Sequence, residues 1–127
     1  MPARASLTAS GEFTSTGWSS GPVAVAVSFK DRWRGLRPSP AGLGLLLKTR
    51  SVHSLGMKTD LLLVGIDARG TVIDTRTLKP GRIVMLPAVR FILELEGDRS
   101  PPMPGAVLTW HGAGSTDPLR NSDRQPR

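Results

Sequence analysis

The chain has 127 residues, room for one domain with a single modest core. It contains no cysteine, which excludes a disulfide scaffold, a thiol nucleophile and a thiolate metal site. Its net charge of +7 admits nucleic acid or another polyanion as a partner, yet the arginines are scattered from Arg4 to Arg127, as a compositional bias would also leave them.

Residues 1–22 are rich in Ser, Thr, Gly and Ala and show no usable periodicity, so they are expected to form a disordered leader. They hold no apolar run of signal-peptide type, and nowhere does the chain approach the ~20 apolar residues that span a bilayer. A cytoplasmic location is expected. Val23 to Val27 alternates large and small residues, the pattern of a strand. Ser28 and Asp31 then form a capping pattern. Phe29, Trp33 and Leu36 follow at the spacing of one helical face, before Gly35 and Pro38 end the segment. One short helix is expected near residues 29–35.

Pro38 to Gly42 reads as a turn and Leu43 to Lys48 as a strand. Leu61 to Ile66 is apolar throughout, which predicts a central strand covered on both faces, with Gly65 marking a bulge or a close backbone approach. Asp67-Ala68-Arg69-Gly70 is a hairpin loop and Thr71 to Arg76 the return strand. Lys79-Pro80-Gly81 is a turn, and Arg82 to Leu86 a strand interrupted by Pro87. In residues 91–96, Phe91, Leu93 and Leu95 alternate with Ile92, Glu94 and Glu96, which predicts one face toward solvent. Ala106 to Trp110 closes the pattern, and residues 111–127 are expected to be a disordered tail. Short strands and frequent turns give a mostly β fold, a small β-sandwich or barrel, as a single domain over residues 23–110.

The order of these features resembles a known family. Asp31-Arg32-Trp33-Arg34-Gly35-Leu36 is similar to the Arg-x-x-Gly-Leu signature of domain-of-unknown-function family 192, found in bacteria and archaea. Ser51-Val52-His53-Ser54-Leu55-Gly56-Met57 resembles its Ser-Val-His-Thr-Phe-Gly-Met segment. The hairpin Leu61 to Asp74, Pro80-Gly81-Arg82 and the strand Val89 to Gly97 match later blocks. The resemblance covers roughly Val23 to Leu108. It implies a compact, mostly β sandwich or barrel and no particular reaction. Family members carry Pro-(Ile or Leu)-Asp after the Met segment, where this chain reads Asp60-Leu61-Leu62.

Few residues offer chemistry. His53 has the types needed for a ligand, a base or a pH-sensitive contact, and Ser51 and Ser54 lie beside it. A buried or half-buried histidine bonded to a backbone carbonyl accounts for it more simply. Met57 is four positions on, but one His/Met pair supplies too few ligands for a soft metal. Asp67 and Asp74 flank the hairpin, and the turn itself explains Asp67. Lys30, Arg32, Arg34 and Arg37 with Trp33 form a basic patch with an interleaved aromatic, a phosphate- or base-binding pattern. Arg34 also suits pairing with an acid inside the fold, Asp67 or Glu94. Gly42-Leu43-Gly44 lacks the later residues of a phosphate-binding loop.

No catalytic set, metal or cofactor is therefore expected. The leading expectation is a module that binds a small ligand or a protein through His53, Met57, Arg34 and Asp67. Polyanion binding through the basic patch and a His53-dependent hydrolase or lyase are the rivals.

Overall fold

The structure, a computed structural model, describes residues 10–25, 42–54, 57–112 and 117–121. They form nine strands and one helical turn. The strands are β1 (Gly11–Ser15), β2 (Trp18–Val25), β3 (Gly44–Leu47), β4 (Ser51–His53) and β5 (Leu61–Ile66). After them come β6 (Val72–Leu78), β7 (Ile83–Met85), β8 (Phe91–Glu96) and β9 (Thr109–Gly112), and last the turn α1 (Pro118–Asn121). The expected helix near residues 29–35 lies outside the described residues, as do Lys30, Arg32, Arg34 and Arg37.

Seven strands form one sheet in the order β6-β5-β8-β3-β2-β1-β9, and β4 with β7 makes a separate two-stranded ribbon. Pairing is antiparallel except between β2 and β3. The mostly β fold is as expected, but the sheet is open and not a closed barrel. Its ends approach each other through residues 105–108: Leu108 N donates to Gly70 O at 2.9 Å, and Val72 N to Ala106 O at 2.8 Å.

The inner strands β3, β5 and β8 are apolar at consecutive positions because both of their faces are covered. Leu62, Val64, Ile66, Phe91, Leu93 and Leu95 point to one side, against Phe13, Val72 and Leu108. Leu61, Leu63, Leu45, Leu47 and Ile92 point to the other, where the ribbon lies on them through Val52, Val84, Leu86 and Val89. Each such buried aliphatic contributes about 1.5–3 kcal/mol relative to an exposed one. The doubly covered strand over residues 61–66 is as expected. The expected solvent face on β8 is not found: Glu94 is 5% exposed and Ile92 fully buried. Alternation of Glu with aliphatics suggested water on one side, but the ribbon occupies that side.

Gly65 performs both roles open to a strand glycine. The β5–β6 register slips between Gly65 and Ile66, which leaves Ile73 as the extra residue of a bulge. A Cβ on Gly65 would stand 2.6 Å from Val89 Cγ1, so the ribbon side can approach only because none is there.

Both expected disordered ends need correction over their described residues. Residues 11–22 belong to the hairpin β1–β2, and Phe13 is fully buried. A bulge sits opposite Phe13, and the buried Ser20 hydroxyl heals it by accepting from Phe13 N at 2.9 Å. The hairpin tip is tied down by Trp18 Nε1, which donates to Ser100 O at 2.7 Å, and by Arg99 Nη2, which donates to Ser19 O at 2.7 Å. At the other end, His111 lies on β9 beside Thr14, 2.9 Å between Nε2 and Oγ1, and Leu119 on α1 is 3% exposed. Polar composition hid these segments because each contributes only one or two large apolar side chains. Among the described residues no helix is long and apolar enough to cross a membrane.

Candidate functional site

The ribbon carries His53. Val52 pairs with Val84, and both face the core. Side chains alternate along a strand, so Ser51 and His53 on β4, with Met85 and Ile83 opposite them on β7, face outward. Two hydrogen bonds bracket the ribbon: Ser54 N donates to Arg82 O at 2.8 Å, and Leu86 N to Arg50 O at 2.7 Å. Antiparallel ladders alternate, so His53–Ile83 and Ser51–Met85 are the pairs without mutual backbone bonds, where side chains come closest, with Cα atoms about 4.5 Å apart. Ile83 is 70% exposed and Met85 65%. The outward face therefore presents a half-buried imidazole beside two large aliphatic side chains in water.

Ser54 locks the ribbon to the next turn. Its hydroxyl is fully buried, donates to Lys79 O at 2.6 Å and accepts from Arg82 N at 2.9 Å. Its backbone oxygen accepts from Gly81 N and Met57 N, each at 3.0 Å. A hydroxyl so committed positions chain and is poorly placed to attack a substrate. Met57 is half-buried against the core beneath the ribbon. Asp67 is elsewhere, in the β5–β6 turn, where its Oδ1 accepts from Arg69 N and Thr71 N, each at 2.9 Å. That is the turn role its sequence position suggested. Of the four candidate binding residues, His53 and Met57 thus share one segment, Asp67 serves a turn, and Arg34 lies outside the described residues.

The two chain stretches that carry the ribbon strands are basic, with Asp60 and Glu94 lying just beyond them. Residues 43–59 include Lys48, Arg50 and Lys58, and residues 77–93 include Lys79, Arg82 and Arg90, with no Asp or Glu in either stretch. Among the described residues, clefts lie at two other places. One, of about 450 Å³, lies between Arg69, Trp110, Asp117 and Leu119. The other, of about 630 Å³, is a broad acidic hollow between Asp60, Glu96 and Asp98, where the Glu96 carboxylate accepts from Gly42 N at 2.7 Å. Among the described residues no three His, Cys, Asp or Glu gather closely enough to hold a metal ion.

Sequence reasoning missed Ile83 and Met85. Three consecutive apolar residues on a short strand carry no alternation, so only the pairing with β4 decides which of them face water.

The chain matches no family model and no curated protein. It is similar in structure to a Sinorhizobium meliloti 1021 protein named as a "putative transcription regulator", with 23% identity and a TM-score of 0.64 over 85% of this chain and 98% of that one. It is also similar to a Novosphingobium aromaticivorans protein of unknown function, with 12% identity and a TM-score of 0.65 over 87% of this chain and 90% of that one. At these identities both likenesses show a shared fold.

Proposed function

We propose that this chain is a non-catalytic binding module of the family-192 type, working through the outward face of the β4–β7 ribbon around His53. The observation that carries the reading is the exposure of Ile83 and Met85, 70% and 65%, side by side with His53. Large aliphatic side chains left together in water mark contact sites. The stretch that resembles the family's Ser-Val-His segment supplies one strand of this ribbon, which joins the resemblance to the surface. A cytoplasmic setting belongs to the same proposal.

The hydrolase or lyase reading is less well supported, because the Ser54 hydroxyl is spent on Lys79 and Arg82. The name of the Sinorhizobium protein brings nucleic acid to mind, but at 23% identity the likeness carries only the fold.

A thermal-unfolding screen tests the proposal. Metals, nucleotides, sugars, peptides and short DNA and RNA are added to the full chain at two salt concentrations. A partner that binds only the folded state raises Tm by mass action. The expected result is a salt-tolerant rise with a peptide or small molecule, abolished by His53→Ala or Ile83→Ser with the unliganded Tm unchanged. Turnover lost on His53→Ala, or a rise confined to DNA or RNA and erased by salt, would overturn it.

A further inference from the structure

The two long edges of the ribbon are treated differently. On β4 the outward main-chain groups of Ser51 are closed off by the neighbouring Thr49 hydroxyl, which accepts from Ser51 N and donates to Ser51 O, each at 3.2 Å. On β7 no such cover is found among the described residues. The ladder bonds at Arg82, Val84 and Leu86 point to β4, so the N–H and C=O groups of Ile83 and Met85 point the opposite way. Among the described residues no strand pairs on that side of β7. The open edge is bounded by Pro80 and Pro87, neither of which carries an amide hydrogen.

We propose that the β7 edge takes up an acidic, extended peptide segment of a partner protein as an added strand, resting on the reading of the ribbon as a binding surface. Main-chain pairing at Ile83 and Met85 would hold the peptide, and its aliphatic side chains would lie beside theirs on the outward face. Acidic residues in the peptide would answer Lys79 and Arg82, which flank β7 in the chain, and Lys48, Arg50 and Lys58 of the other ribbon stretch. A second copy of this chain fits poorly, since it would set the same basic border against itself. A lipid surface fits poorly as well, since an open strand edge pressed into it would leave its N–H and C=O groups without partners.

The test uses the full chain and a fluorescent peptide of about ten residues alternating Glu with Val, a length suited to strand addition. Three companions accompany it: a version with Lys for Glu, a version with Pro at the central Val, and vesicles of anionic lipid. Anisotropy should show binding of the Glu peptide that weakens as salt rises, with no binding of the Lys version. The central Pro should weaken it roughly tenfold or more, by removing a ladder donor and bending the strand. Met85→Pro removes an outward amide that β4 does not use, and it should weaken the Glu peptide about tenfold while leaving the fold intact. Hydrogen exchange at the Ile83 and Met85 amides should slow in the complex.

Equal binding of the central-Pro peptide overturns strand addition, and this arm is independent of whether Met85→Pro folds. So does binding of the vesicles without the peptide, or dimerisation through β7. If the Glu peptide fails but another compound still gives a Tm rise that His53→Ala removes, strand addition falls while the binding-module reading stands. If nothing binds and His53→Ala changes nothing, both fall.

Discussion

Ser54 and Arg82 clasp each other twice: Ser54 N donates to Arg82 O at 2.8 Å, and Arg82 N donates to Ser54 Oγ at 2.9 Å. The same hydroxyl also reaches Lys79 O. One buried side chain therefore joins the end of β4 to the start of β7 and sets the register that turns Ile83 and Met85 outward.

Removing that hydroxyl should be costly. Ser54→Ala removes the bonds to the Arg82 N–H and the Lys79 C=O, both part-buried, at about 1–3 kcal/mol in all. Chemical denaturation should show the loss with an unchanged slope, and hydrogen exchange should speed at Arg82 before it speeds in β5. A loss within measurement error would mean that the clasp does not hold the ribbon.

Gly65→Ala should destabilise by overpacking, about 1–3 kcal/mol. The new methyl would press on Val89 Cγ1 at 2.6 Å and Leu86 Cδ1 at 3.2 Å, both on the segment that covers β5. A second change, Val89→Ala, should recover part of the loss in the double variant, because it removes the atom in the way. Additive losses instead would place the strain in the bulge.

Phe13→Ala tests whether the N-terminal hairpin is part of the domain. Phe13 is fully buried and meets the Trp110 ring with centroids 4.9 Å apart. Its truncation should cost about 3–5 kcal/mol, a large share of the ~5–15 kcal/mol typical of a domain. A chain beginning at Val23 should fail to fold cooperatively. Native-like melting of that shortened chain would return residues 10–22 to the status of a leader.

Leu119→Ala makes the matching test at the other end. The side chain is 3% exposed and belongs to the core cluster of Phe13, Val72 and Leu108. About 2–5 kcal/mol should be lost, and stopping the chain after Gly112 should lose at least as much. Calorimetry of the two variants would reveal it. An unchanged Tm in both would show that α1 does not pack in solution.

Much of the interior was legible before any coordinates. Leu61 to Ile66 announced a covered strand by being apolar without interruption. Asp67 and Gly70 announced the turn: the carboxylate accepts two backbone amides, and Gly70 takes φ 88°. Gly65 announced a bulge or a close approach, and it makes both. These signals are local, since each depends on the conformation of a few neighbouring residues. The ends were illegible for the converse reason. Phe13 and Leu119 each stand in polar surroundings, and one apolar residue per segment shows no period.

The candidate site divides along the same line. His53 stands out in the sequence because it is the one histidine between the expected strands. Its neighbours on the surface, Ile83 and Met85, are about 30 positions away in the chain, and register alone brings them beside it. The amino-acid sequence by itself determined the inner strands β3, β5 and β8 and the β5–β6 turn, because those choices rest on side-chain period and glycine geometry. Only the tertiary structure decided that Glu94 is buried, that residues 11–22 and 117–121 join the fold, and that β7 keeps an edge open among the described residues. Each of these depends on what another part of the chain covers, and coverage has no signature in local order.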